Sequence, residues 1–146
     1  MDSTSSRPCR LFIVDNNEDL AWSLSEVLAL EPDFEPVGHW DRGADALSKA
    51  SEARADVVIL DFRLPDCTAL NLLDDARASA VPFAILVYSG YLSHEVAAAV
   101  LSKGAAGYIT KGGSVDTLVQ EIRRVFKALP AAGRGASGSD DSSRVV

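Results

Sequence analysis

The chain has 146 residues, a hydrophobic fraction of 47%, a charged fraction of 24% and a formal net charge of −7. That length and balance suit one globular domain able to bury a core without metal or disulfide staples. The acidic balance argues against direct binding to nucleic acid or to an anionic membrane surface, and no run of residues has the length of a membrane span. Met1-Asp2-Ser3-Thr4 lacks the charged and apolar regions of a secretory signal, which predicts a cytoplasmic protein. Cys9 and Cys67 fit no metal-ligand spacing and read as free thiols, Cys9 within a loose amino terminus.

Residues 1–9 are polar and contain Pro8, the composition of a flexible leader. Arg10-Leu11-Phe12-Ile13-Val14 predicts a first strand that ends at Asp15. Asn16 to Asp19 form a polar entry to a helix, with Asn16 or Asn17 as cap and Glu18 and Asp19 favourable beside the free amides of the first turn. Leu20, Leu24, Val27 and Leu28 recur at helical spacing and predict its buried stripe, with Trp22 off that stripe. Glu31-Pro32-Asp33 breaks the helix, and Phe34 to Trp40 predicts a short second strand. Asp41 reads as the cap of a second helix to about Ser51, with Ala44, Leu47 and Ala50 facing inward.

Val57-Val58-Ile59-Leu60 has the pattern of a strand buried on both faces and ends at Asp61, ahead of Phe62-Arg63-Leu64-Pro65-Asp66. On that stretch alone Asp61 is either a turn or capping residue or a carboxylate placed for chemistry. Ala69 to Ala78 predicts helix three, and Pro82 to Tyr88 a fourth strand ending at Ser89-Gly90. Helix four runs from about Ser93 to Lys103, where Gly104 stops it. Ala106 to Thr110 predicts a short fifth strand ending at Lys111. Ser114 caps a last helix carrying Val115, Leu118, Val119, Ile122, Val125 and Phe126. Residues 130–146 have the composition of a disordered tail.

Strands alternating with helices predict an α/β domain over residues 10–129, a five-stranded parallel sheet with helices on both faces. Asp15, Asp61, Ser89 and Lys111 all fall at carboxyl ends of strands and converge on one sheet edge. Two carboxylates, a hydroxyl and an ammonium suit phosphoryl transfer. Carboxylates hold magnesium or attack phosphorus, while the cation and the hydroxyl stabilise the transferred oxygens.

On these residues the chain resembles the receiver domains of bacterial two-component response regulators. Ile13-Val14-Asp15, Leu60-Asp61 followed by Leu64-Pro65, Ser89-Gly90, and Gly104 to Lys111 match in order and spacing, and the likeness covers roughly residues 9–129. The resemblance implies a doubly wound sheet of the flavodoxin and chemotaxis-receiver type, with strand order 2-1-3-4-5. It implies that Asp61 accepts a phosphoryl group, and that Asp15, Asn16, Asp61 and the backbone carbonyl of Arg63 bind Mg2+. It further implies that Ser89 and Lys111 contact the phosphoryl group, with Ser89 and Tyr108 as the switch. The implied partners are a histidine kinase or histidine phosphotransfer protein and a downstream protein target, and a homodimer is compatible with the family. Phosphotransfer partners of the family often dock beside helix one, so Trp22 is either packed against the last helix or exposed as an interface anchor.

Three positions depart from the family pattern. Asn16 stands where a second acidic residue is usual, which predicts weaker magnesium binding. Ala69 replaces a common glycine, and Gly112 replaces a proline, which predicts a looser loop after Lys111. Lys111-Gly112-Gly113-Ser114 is similar to receivers of the nitrate-regulator class, which normally carry a DNA-binding domain. The chain contains no second set of helices for one, so the expectation is a stand-alone receiver. The alternatives are a pseudo-receiver that works without phosphorylation and the isolated receiver of a DNA-binding regulator. A magnesium-dependent aspartyl-phosphate phosphatase is disfavoured because Arg63 stands where such enzymes place a second aspartate. His39 and His94 read as surface residues.

Overall fold

A computed structural model of the chain describes residues 7–90 and 93–130. Five strands, β1 (Cys9–Val14), β2 (Phe34–Trp40), β3 (Val57–Leu60), β4 (Ala84–Ser89) and β5 (Gly107–Thr110), alternate with five helices. The helices are α1 (Glu18–Leu28), α2 (Ala46–Glu52), α3 (Ala69–Ser79), α4 (His94–Ser102) and α5 (Val115–Ala128). All strand pairs are parallel and the sheet order is β2-β1-β3-β4-β5, the doubly wound arrangement expected.

The central strands are apolar throughout because both of their faces are covered. Leu11, Ile13, Val57, Ile59 and Leu86 pack with Leu24 and Leu28 of α1 and with Leu118, Val119, Ile122 and Val125 of α5. On the other face Phe12, Val14, Val58, Leu60, Ile85 and Val87 meet Ala46 and Ala50 of α2, Leu72, Leu73 and Ala76 of α3, and Val100 of α4. Alternate residues of each strand thus enter opposite cores, as the two-residue period of a strand requires. β2 lies at an edge, where Pro36 needs no amide partner, and the register with β1 shifts there so that Val37 bulges out of the pairing.

Several expectations about local structure are corrected. Cys9 is not in a loose leader: it opens β1, is fully buried, and burial pushes its thiol pKa up to about 12. The chain just before it is tied down too, with Arg7 bonded to both carboxylate oxygens of Asp56 at 2.7 and 2.9 Å. The rest of the expected leader, residues 1–6, and residues 131–146 of the expected tail lie outside the described residues.

The buried stripe of α1 is Ala21, Leu24 and Leu28, whereas Leu20 and Val27 lie at its exposed margin. Asn17 caps α1 by accepting from the Leu20 amide at 3.0 Å. α2 begins four residues later than a cap at Asp41 predicts, with Asp45 at the cap position. Asp41 pairs with Arg42, Ala44 is exposed, and the amides of Gly43 and Ala44 are taken by the carboxylate of Asp66. Ser93 and Ser114 cap α4 and α5 as their sequence positions predict. Ala69 is accommodated at the start of α3, where its amide bonds Phe62 O at 2.8 Å and Thr68 caps the helix reciprocally with Asn71.

The two leucine sites of α1 separate the sequence pattern from the packing. Leu28→Ala is expected to lower unfolding free energy by about 2–4 kcal/mol through lost burial and a residual cavity. Leu20→Ala is expected to lower it by less than about 1 kcal/mol. Urea denaturation of both variants checks this, and equal losses would contradict the packing described.

Candidate functional site

The hydrogen-bond ladder runs one residue past the named strands and delivers the polar groups to one edge. The Asp61 amide donates to Val14 O at 2.9 Å, the Asp15 amide to Trp40 O at 3.0 Å, and the Lys111 amide to Ser89 O at 2.8 Å. Asp15, Asp61, Ser89 and Lys111 are therefore anchored by the sheet itself, and only their side chains face the edge. An open cleft of about 380 Å3 is lined by Asn16, Asp61, Arg63, Leu64, Pro65, Ser89, Gly90 and Lys111.

Lys111 is the centre of the cluster. Its Nζ lies 2.7 Å from Asp15 Oδ2 and 3.4 Å from Asp61 Oδ2. The other Asp15 oxygen accepts from the Asn17 amide at 2.8 Å. Asp15 is thus bonded on both oxygens, while Asp61 shares the same cation at longer range. Burial raises the pKa of Asp61 above the ordinary carboxylate value, with the nearby Asp15 adding to the rise and Lys111 opposing it. Burial alone would lower the pKa of Lys111, but its bond to Asp15 and the charge of Asp61 outweigh that and hold the ammonium above its usual value. Two carboxylates against one ammonium leave one negative charge uncompensated inside the cluster.

This donor set fits a small hard cation. Magnesium accepts one or two carboxylates and retains several waters, so Asp15 and Asp61 with the carboxamide of Asn16 and the carbonyl of Arg63 satisfy its preference for oxygen. Among the described residues no group of three or more His, Cys, Asp or Glu side chains gathers at a metal-binding distance, so a denser metal centre has no counterpart here.

The remaining residues singled out from sequence divide clearly. Ser89 is buried at the end of β4 and lines the cleft. Tyr108 pairs with Val87 on β5 and is half-buried against the core on the α2–α4 side of the sheet. Trp22 is 59% exposed and belongs to neither core. His39 and His94 line no part of the cleft. Gly90, part of the Ser89-Gly90 motif, lines the cleft, and sequence reasoning passed over Tyr88, whose ring centre lies 6.0 Å from Lys111 Nζ. It also missed Asp66, whose position after proline signals a turn and says nothing of a bond to a loop 22 residues earlier.

The family model of the response regulator receiver domain matches residues 11–123. The DNA-binding transcriptional activator DevR/DosR of Mycobacterium tuberculosis is 29% identical over 143 residues, covering 90% of this chain and 66% of that protein. Response regulator GacA of Pseudomonas aeruginosa is 29% identical over 117 residues, covering 80% of this chain and 55% of that protein. The chain spans about half to two thirds of the length of these curated relatives. Among solved structures, the response regulator domain of Thermotoga maritima CheB superposes with a TM-score of 0.74 at 24% identity, covering 83% of this chain and 98% of that one. The beryllofluoride-activated NtrC4 receiver domain dimer gives a TM-score of 0.72 at 27% identity, covering 81% and 96%.

The raised pKa of Asp61 has a consequence for stability. A carboxyl that holds its proton more tightly when folded weakens folding once ionised. The effect is absent below the ordinary carboxylate pKa, where both states are protonated, and it grows as pH rises through the folded value. Asp61→Asn is expected to raise stability at pH 7 by about 1 kcal/mol, the usual size of a stabilising change at a functional site. The gain should disappear on acidification toward pH 4. Urea midpoints of the two proteins across this range test it, and a loss at pH 7 would mean that attraction to Lys111 outweighs burial.

Proposed function

Since the chain belongs to the receiver domains of two-component response regulators, we propose that Asp61 is the residue that accepts the phosphoryl group. The observation that carries this reading is the asymmetry of the cluster. Asp15 takes the short bond to Lys111 and the amide of Asn17, whereas Asp61 lines the cleft with a raised pKa, holding Lys111 at longer range beside the backbone amide of Phe62. A carboxylate so placed keeps a lone pair for attack on phosphorus.

An oxygen of Asp61 attacks the phosphorus of a phosphohistidine on a histidine kinase or phosphotransfer protein. The O–P bond forms as the N–P bond breaks, and the released imidazole nitrogen takes up a proton. Lys111 balances charge on the transferred oxygens, and the hydroxyl of Ser89 donates to one of them. Asp15, Asn16, Asp61 and the Arg63 carbonyl would hold a Mg2+, which supplies further charge neutralisation when bound. Movement of Ser89 toward the phosphoryl group gives Tyr108 room to turn inward, changing the surface formed by α4, β5 and α5. Of the nine residues of α4 only Val100 is buried, which leaves much of that helix for a downstream protein or a second copy of the chain. Trp22, exposed on the helix that follows Asp15, supplies an anchor for the phosphodonor protein.

A second reading, transcriptional output through an attached DNA-binding segment, is favoured by the likeness to DevR/DosR, whose matched part is shorter than that protein.

Intact mass after incubation with magnesium and a small phosphodonor tests the acceptor. One phosphoryl adduct is expected on the native protein and none on Asp61→Asn; equal labelling of both would place the acceptor elsewhere. Labelling of neither would turn the reading toward a phosphorylation-independent module. In calorimetric titrations Asn16→Asp should bind magnesium several-fold more tightly, because it adds a negative charge to the donor set. Trp22→Ala, with an unchanged melting temperature, should slow transfer from the protein donor at least about tenfold while leaving labelling by the small donor unaltered. Unchanged transfer from the protein donor would remove Trp22 from the interface.

A further inference from the structure

A closed ring of bonds joins the loop after Asp61, which lines the cleft, to residues that do not line it. From Asp61 the chain runs through Phe62, Arg63, Leu64 and Pro65 to Asp66. Within this segment Leu64 N donates to Cys67 O at 2.9 Å, Ala69 N donates to Phe62 O at 2.8 Å, and Arg63 bridges Thr68. The loop is therefore stiff internally. Its tip is held from outside, because Asp66 Oδ1 accepts from the Gly43 amide and Oδ2 from the Ala44 amide, both at 2.8 Å.

The same peptide segment bonds onward. Ala44 O accepts from the indole Nε1 of Trp40 at 2.6 Å, and Trp40 O accepts from the amide of Asp15 at 3.0 Å. The path from Asp61 through Asp66, Ala44 and Trp40 ends at Asp15, which Lys111 joins back to Asp61.

Two further features show that this contact is built. Gly43 approaches the acceptor loop so closely that a Cβ there would lie 2.2 Å from Cys67 Sγ, so any other residue would force the Cys67 side chain to move. Asp45, at the start of α2, has a left-handed φ of 68° and offers no side-chain cap, and Asp66 takes the amides of Gly43 and Ala44 in the turn just before it. Lys49 Nζ lies 4.2 Å from the Trp40 ring centre and helps to hold the indole in place.

We propose that Asp66 and Trp40 are positioning residues for phosphoryl acceptance, closing a ring of hydrogen bonds that fixes the acceptor loop relative to Asp15. This rests on the reading of Asp61 as acceptor. The two bonds from Asp66 join one loop to another, so their loss frees Arg63 and Pro65 to drift while the sheet that anchors Asp61 stays intact. Burial of Asp66 plays no part, since its side chain is at the surface. The two amides, both charge-assisted donors to the carboxylate, also hold its pKa below the usual value.

The test is a double-mutant cycle on the full chain. Asp66→Ala removes both acceptors, Asp66→Asn keeps one, and Trp40→Phe keeps an aromatic ring at that position while removing the indole donor. Two quantities are measured, the rate of labelling by a small phosphodonor at saturating magnesium and the dissociation constant for magnesium alone by calorimetry. Asp66→Ala and Trp40→Phe are each expected to slow labelling about tenfold, the scale of a small misplacement of reacting groups. Both should also weaken magnesium binding, with Asp66→Asn intermediate. The double variant should be no slower than the worse single variant, because both break one ring. General destabilisation would multiply the losses, and that result overturns the proposal. Native labelling and native magnesium affinity in Asp66→Ala also overturn it while leaving the acceptor reading intact. A native protein that takes up no phosphoryl group overturns both.

Discussion

Two carboxylates at the ends of adjacent strands repel each other, and the edge of this sheet depends on one ammonium to hold them together. Lys111 reaches across from the end of β5, and its shorter bond is to Asp15. That inequality divides the labour of the pair. Asp15, bonded on both oxygens, is a fixed negative charge, while Asp61 carries the unmet desolvation of a partly buried carboxylate. The less satisfied group is also the one that faces open space, which is why the proposed chemistry falls on it. Breaking this arrangement by removing the lysine would leave two buried like charges, a heavier loss than the bond distances alone suggest.

The rest of the fold serves to make that arrangement reproducible. Parallel pairing aligns Val14 with Leu60 and Ser89 with Thr110, so Asp15, Asp61, Ser89 and Lys111 come together at one edge. Apolar packing on both faces removes freedom from the strands, and the side chains at their ends inherit that rigidity. Helix packing matters to the site chiefly through this indirect route. α5 is additionally pinned at the opposite end of the molecule, where Arg123 bonds Asp33 and Glu31 and stacks over Phe34.

Most of this architecture was legible in the chain because the signals are local. Apolar runs ending in Asp15, Asp61, Ser89 and Lys111 betray both a strand and what it presents, and serine caps announce α4 and α5. Where reading by pattern failed, a distant partner had intervened. Asp41 looks like a cap, but the amides it would serve bond Asp66, 22 residues beyond Ala44. Leu20 and Val27 have the composition of a core stripe, yet the face of α1 that meets the sheet carries Ala21, Leu24 and Leu28. Cys9 looks detached because the polar leader masks the strand that begins there. Trp22 could not be placed from its own helix, since its exposure depends on what α5 leaves uncovered.

The irregular edge of the sheet has a consequence for how molecules of this protein meet. A straight outer strand offers a row of free amides and carbonyls that another chain can extend without limit, the usual start of fibrous aggregation. β2 denies that template twice, with Pro36 removing a donor and the bulge at Val37 throwing the remaining groups out of step. Association by continuing the sheet past β2 is thereby discouraged, and this edge of the domain stays closed to an added strand.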